Sequence, residues 1–302
     1  MGVTKSFFIT LSKNRPLNSA AKKWGLKLGA GKMVAGTDIQ SMMQSVKELN
    51  ANGISATIDS LGEFVYTKEE ATQAKEAILK TLEAIQIHGV NAHMSVKLTQ
   101  IGLDVDPAFC LKNIQEIVAA AANYDIFINL DMEDYDHLQQ TLDILEALLE
   151  EFENVGTVIQ AYLYRSEKDV ENLKNVRLRL VKGAYKESAE VSLQEKNEID
   201  ENFLKLIKIH LQAPGYTSIA THDHHIIEQV KAFVKEKNIP LDKFEFQMLY
   251  GFRSEMQKDL AKEGYAFTTY VPFGQDWYAY YMRRLAERPQ NIALAFRSMV
   301  SK

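Results

Sequence analysis

Cysteine is almost missing from this chain. Of 302 residues only Cys110 is a cysteine, which excludes an internal disulfide framework and any multi-cysteine metal or iron–sulfur site. No apolar run approaches the ~18 residues of a membrane span. The opening FFITL is also too short and poorly flanked for a secretory signal. Charge is balanced: 35 basic and 40 acidic residues leave −5, too mild to suggest a nucleic-acid partner. Gly29, Gly31 and Gly36 have neither of the two common phosphate-binding spacings, and no convincing strand precedes them. A Gly-x-Ser-x-Gly elbow is lacking too, so serine hydrolase chemistry has no support. What remains is a cytoplasmic globular chain, 46% hydrophobic, large enough to bury a core without staples.

The charge is unevenly spread. Residues 1–36 hold Lys5, Lys13, Arg15, Lys22, Lys23, Lys27 and Lys32 and no acid, with Phe7, Phe8 and Trp24 among them. Two readings compete: an arm touching an anionic membrane surface, or a basic segment packed on an acidic body. The opening MGVTKS also fits a short acylation pattern, which carries little weight.

From about residue 54 strand-like and helix-like segments alternate. Strands are expected at 54–60, 94–100, 126–132, 157–163, 177–183, 217–223, 244–250 and 266–273, each short and rich in apolar or β-branched residues. Between them lie helical stripes: Ala71, Ala74, Ile78, Leu82, Ile85; then Leu142, Leu145, Leu149, Phe152; then Phe203, Leu206, Ile207, Leu211. Thr37 and Asp136 are expected helix starts, and residues 186–202 a long charged connection. Eight such units fit a closed (β/α)8 barrel better than an open sheet. The expected organisation is therefore an α/β barrel over residues 54–302, preceded by a basic, helical segment over 1–53.

A barrel of this class carries its site at the C-terminal ends of the strands. Those ends offer Asp59, Lys97, Asp131, Gln160, Arg179 with Lys182, Thr221 with His222, Gln247 and Tyr270, while the strand interiors read as apolar. A ring of polar groups there costs desolvation, which a large polar ligand would explain. In YYMRRLAER (280–288), Tyr280, Arg283, Arg284 and Glu287 share a helical face; this is either a surface ladder or a paired-guanidinium clamp for a carboxylate or phosphate. The aromatic run before it favours a clamp for a small amphipathic acid. THDHH (221–225) contains an H-x-H pair, but a third imidazole is hard to place, so no metal is expected. Lys97 and Lys182 suit a Schiff-base nucleophile, a fixed cation or half of an ion pair with Asp131, and spacing does not choose. Cys110 reads as packing.

RLVKGAY (179–185), ATH (220–222), FEFQMLYG (244–251) and YYMRRLAER together closely resemble proline dehydrogenases of the short, single-function bacterial type. The resemblance runs in order from about residue 54 to 291. It implies a distorted (β/α)8 barrel with additional N-terminal helices, holding non-covalent FAD and oxidising L-proline to Δ1-pyrroline-5-carboxylate. Electrons would then pass to a membrane quinone, with peripheral contact at the inner membrane face, and a separate pyrroline-5-carboxylate dehydrogenase would take the product. It further implies that Arg283, Arg284 and Lys97 hold the proline carboxylate, that Leu249, Tyr270 and Tyr280 wall its ring, and that Asp131 holds Lys97. Arg179 and Gln160 would meet the flavin, with Val181, Gly183, Ala184, Thr221 and His222 on the rest of FAD. Glu287 would support Arg284, and Glu63 would form a gating pair with Arg283. Asp223 stands where many members have asparagine. The alternatives are a Schiff-base lyase and a barrel that binds an amino acid without catalysis.

Overall fold

Eight parallel strands, each followed by a helix, hydrogen-bond in sequence order and close on themselves through the β1–β8 pair. The computed structural model describes residues 31, 33–62 and 65–287. The basic arm to residue 30, Lys32, Glu63 and the side chains of Arg283 and Glu287 lie outside the described residues.

The strands are β1 Ser55–Ser60, β2 Ala92–Val96, β3 Ile128–Leu130, β4 Val155–Gln160, β5 Leu178–Val181, β6 Thr217–Ala220, β7 Phe244–Leu249 and β8 Ala266–Phe273. The helices are α1 Ile39–Asn50, α2 Lys68–His88, α3 Pro107–Ala122, α4 Tyr135–Leu149, α5 Ser166–Asn172, α6 Lys196–Leu211, α7 His224–Lys237, α8 Ser254–Lys262 and α9 Trp277–Glu287. All eight expected strands are present: β8 has the expected bounds, β4 starts two residues early and stops at Gln160, and most others are trimmed. The second is displaced: it begins at Ala92 and stops at Val96, and Thr99–Ile101 is a turn of 3-10 helix, so Lys97 stands just beyond the strand.

Helix starts shift by a residue or two. Asp38, not Thr37, caps α1 by accepting from the Ser41 N–H, and Asp134, not Asp136, caps α4 by accepting from the His137 N–H. The stripes on α2 and α6 are buried against the sheet, apart from half-buried Ala74. On α4 the buried face is rotated: Leu138, Thr141, Ile144, Leu145 and Leu148 are inside, whereas Leu142, Leu149 and Phe152 are only partly covered. The long connection after β5 ends at Lys196, where α6 begins. Its irregular part is pinned to the β4 exit by an antiparallel bridge between Leu163 and Ser192.

Outward-facing residues such as Ile58, Met94, Leu130, Leu180, Ile219 and Phe246 are buried under the helices. The inward positions are polar, contrary to the apolar interiors expected. Ser55, Thr57 and Asp59, His93 and Ser95, Asn129, Arg179, Ser218, Glu245, Gln247 and Thr268 are buried or nearly so. Arg179 bonds across the lumen to Ser95 and Thr57 on strands that are not its neighbours, whereas Ser55–Thr268 and Ser218–Glu245 join adjacent strands. Strand periodicity of two makes this possible, because every second side chain points inward. A polar lumen costs desolvation unless each group finds a partner. Here the partners are ion pairs arranged in two layers.

Candidate active site

The upper layer surrounds Asp131. Lys97 Nζ, from the β2 exit, lies 2.8 Å from Asp59 Oδ1 on β1 and 3.0 Å from Asp131 Oδ2 just past β3. The Tyr270 hydroxyl of β8 donates to Asp131 Oδ2 at 2.9 Å. Arg179 on β5 donates through Nη1 to Asp131 Oδ1 at 2.8 Å and to Ser95 at 3.0 Å, and through Nη2 to Thr57 at 3.1 Å. Its guanidinium also sits 5.2 Å from the Tyr270 ring centroid. Groups from β2, β5 and β8 thus converge on one carboxylate at the end of β3, and β1 joins through Lys97 and Arg179.

The protonation states follow. Burial alone would raise the Asp131 carboxyl, but Lys97 and then Arg179 outweigh it and bring it down to about 2. Burial works against the Lys97 charge, yet Asp59, Tyr270 and Asp131 hold the ammonium well above the ordinary lysine value. Burial, reinforced by Asp131 and Asp59, pushes the Tyr270 phenol well above its usual range, so it stays a donor. With Nζ committed to both Asp59 and Asp131, Lys97 is placed as a fixed cation and not as a Schiff-base nucleophile. Lys182 bridges Asp200 at 2.5 Å and Asp223 at 3.1 Å instead of entering the lumen cluster.

The remaining residues form a rim. Gln160 on β4 donates its amide to the Met132 and Glu133 carbonyls at 3.1 and 2.9 Å, and its Oε1 is buried with no partner among the described residues. Arg179 Nε and Gln247 Oε1 are in the same condition. Thr221 receives the Asp223 N–H at 3.1 Å, and His222 Nε2 accepts the Leu249 N–H at 3.1 Å. That bond requires His222 to be neutral at Nε2. His222 lies between β6 and α7, and His224 is the first residue of α7, so the H-x-H pair is not on a strand and shares no face. Asp223 caps α7 through the His225 N–H. Val181 ends β5 and half-exposed Gly183 and exposed Ala184 follow. Gly183 has a packing reason of its own: at φ +113, an added Cβ would lie 2.2 Å from the Tyr162 ring.

The α9 helix packs over the C-terminal mouth. Trp277, Tyr278, Tyr280 and Tyr281 are buried with Leu61 from the β1 exit and Phe252 from the β7 exit. Two of these aromatics, Trp277 and Tyr281, are only 1% exposed. Each such burial contributes about 1.5–3 kcal/mol to keeping the helix down. Half-buried Arg284 lies 5.3 Å from the Tyr280 ring centroid. Cys110 is buried in α3 with its Sγ 3.4 Å from the Leu98 carbonyl, and burial followed by Glu133 pushes its thiol up to about 12.

A family model described as proline dehydrogenase matches residues 42–293. The chain belongs to the proline dehydrogenase family. It is 47% identical to Proline dehydrogenase 2 of Bacillus subtilis (strain 168), over 99% of this chain and 100% of that one. To the Proline dehydrogenase of Deinococcus radiodurans it is 43% identical, over 92% of this chain and 91% of that one. Its similarity to the Bifunctional protein PutA of Escherichia coli (strain K12) is 26% identity over 93% of this chain but 25% of that protein. Among solved structures, proline utilization A from Bdellovibrio bacteriovorus superposes with a TM-score of 0.80 at 25% identity. The match covers 85% of this chain and 32% of that one, so this chain spans about a third of it. Family membership makes the chain an oxidoreductase of proline catabolism, on the barrel that the alternating segments imply.

Sequence reasoning reached Asp59, Lys97, Asp131, Arg179 and Tyr270, which the structure brings together. It missed Thr57 and Ser95, which orient Arg179, and the lower layer around Glu245. The signal was available in the period-two pattern of SATIDS and AHMSV, which alternates polar and apolar residues.

Proposed function

We propose that this chain oxidises L-proline to Δ1-pyrroline-5-carboxylate at the barrel mouth, using non-covalently bound FAD. The observation that carries this reading is the Asp131 hub, which holds Lys97 charged and Arg179 oriented on opposite sides of one carboxylate. The chain's residues also fit a flavin. Gln160 Oε1 is a buried acceptor and Arg179 Nε a buried donor, both without partners among the described residues, and an isoalloxazine edge carries both an N–H and ring-nitrogen lone pairs. Bound FAD would supply the two-electron acceptor for the hydride leaving the ring carbon beside nitrogen.

Each residue then has a definable task. Lys97, Arg284 and Arg283 hold the substrate carboxylate, which determines where the ring carbon sits. Leu249, Tyr270 and Tyr280 wall the ring and exclude water. Arg179 stabilises negative charge that develops next to it during the transfer. Gln160, Val181, Gly183, Ala184, Thr221 and His222 hold the cofactor, and Glu287 supports Arg284. The substrate amine must be neutral to react, and Asp131, pulled down to about 2, stays a carboxylate and holds Lys97. Electrons would leave for a quinone, with the N-terminal arm as a peripheral contact to the membrane, and the product would pass to a separate pyrroline-5-carboxylate dehydrogenase. No helix among the described residues is long and apolar enough to cross a membrane.

The test is an anaerobic visible spectrum of the purified protein before and after L-proline. Bleaching of a flavin band is expected, and a colourless protein would refute the reading. Arg284→Met should raise the proline KM by roughly 10²-fold, the cost of truncating a charge-assisted carboxylate contact, while flavin content stays at wild-type level.

A further inference from the structure

The apolar wall at the β7 exit is held from behind by a residue that does not enter the pocket. Gln257 lies in the interior of α8 and is 2% exposed, a costly place for an amide. Its three hydrogen bonds go to the β7 exit and to β8. Its Nε2 donates to the Leu249 carbonyl at 3.2 Å and to the Phe252 carbonyl at 2.6 Å, and its Oε1 accepts from the Thr269 hydroxyl at 2.6 Å. Two backbone carbonyls accept only, so the amide has one permitted orientation and Thr269 must be the donor.

The segment so held needs holding. Between Leu249 and α8 the backbone passes Gly251 at φ +76 and Arg253 at φ +48, the latter a left-handed conformation that a side chain disfavours. Thr269 directly precedes Tyr270, whose carbonyl accepts the Tyr250 N–H at 2.9 Å. Leu249 is therefore tied on both sides, its N–H to His222 and its C=O to Gln257, while the same amide reaches the residue beside Tyr270.

We propose that Gln257, through Thr269, is a positioning residue that sets the spacing of Leu249 and Tyr270 and so the ring size the pocket accepts. This rests on the reading above, in which those two side chains wall the substrate ring. Gln257 touches neither substrate nor cofactor. Loosening it lets the Leu249 wall drift, so ring binding weakens in ground state and transition state alike, and KM moves more than kcat.

The experiment uses the full-length enzyme and the variants Gln257→Met, Thr269→Val and Thr269→Ser. Four quantities are measured: KM and kcat for L-proline, the same for its six-membered-ring homologue, the Kd of unreactive cyclopentanecarboxylate, and hydrogen exchange across residues 249–253. Gln257→Met and Thr269→Val should raise KM and Kd about tenfold with kcat within about threefold, narrow the preference for the five-membered ring, and speed exchange at 249–253. Thr269→Ser keeps the hydroxyl and should restore all four. Wild-type KM, Kd and ring preference in the folded variants would overturn the proposal, as would Thr269→Val behaving like Thr269→Ser. If Gln257→Met fails to fold, the Thr269 pair decides. A wild-type protein that neither binds the carboxylate nor oxidises proline would instead sink the functional reading beneath it.

Discussion

The barrel contains the same electrostatic device twice, one layer apart. At the mouth, Asp131 is held by Arg179 of β5, Ser95 of β2 and Tyr270 of β8. At the floor, Glu245 is held by Arg177, just ahead of β5, Ser218 of β6 and Thr268 of β8. Both carboxyls are lifted by burial and then drawn down to about 2 by arginine, with Lys97 adding the larger share at Asp131. The surroundings differ. Arg177 is enclosed between the Phe127 and Tyr216 rings, at 4.4 and 4.6 Å, and Gln247 spends its amide N–H on Glu245 at 2.7 Å. The mouth instead adds a second cation, Lys97, and leaves Gln160 Oε1 and Arg179 Nε without partners among the described residues. The floor keeps one buried acceptor without a partner among the described residues, Gln247 Oε1, whereas the mouth keeps an acceptor, a donor and a second cation together, the set a ligand would engage.

Removing the two hubs tests that contrast most severely. Asp131→Ala should lose about 3–5 kcal/mol in urea unfolding, because it strands buried Arg179, and Glu245→Ala should lose less, because Arg177 is only half-buried. Only Asp131→Ala should also lower kcat/KM of the folded fraction by 10²-fold or more, on the order of an electrostatic site residue. Equal activity losses would show that the floor is part of the catalytic machinery.

The two arginines sharpen it. Arg179→Lys keeps the charge but loses the planar fork that reaches Asp131, Ser95 and Thr57 together. Stopped-flow flavin reduction should slow about 10- to 100-fold, while Arg177→Lys stays within about threefold. Matching rates in the two variants would erase the distinction between the layers.

The smallest effect is a pH slope at the floor. Burial, then Arg177, holds the His93 imidazole down to about 3. Below pH 6.5 the unfolded chain takes up this proton and the folded chain does not, so stability present above pH 6.5 is lost as pH falls toward 3. His93→Gln should flatten the stability curve between pH 6 and 4 by up to about 1.4 kcal/mol per pH unit. His210, held down to about 4 mainly by burial, leaves a residual slope of the same sign in both proteins. An unchanged slope would mean that His93 is solvated.

Legibility in the sequence followed the range of the forces involved. The strands and the stripes of α2 and α6 were readable because periodicity is local. Asp59, Lys97, Asp131 and Tyr270 were found by asking what stands at strand ends, a question that the barrel answers without any contact information. The bonds of Lys97 to both Asp59 and Asp131 were only half anticipated, because they join β1, β2 and β3 across separations of 34 and 38 residues. Gln257 was invisible: a glutamine in a short, charged helix reads as surface until its three bonding partners are seen.

Short strands rich in apolar and β-branched residues, separated by amphipathic helices, were enough to dictate a parallel barrel with its polar ends gathered at one mouth. That follows from chain geometry and hydrophobic burial, which act on neighbours in sequence. Which carboxylate meets which cation was settled only when closure of the sheet brought β1 and β8 side by side and placed β5 across from β2 and β3. Ionisation of Lys97, Asp131 and Tyr270 depends on distances across that closed lumen, and no spacing along the chain encodes them.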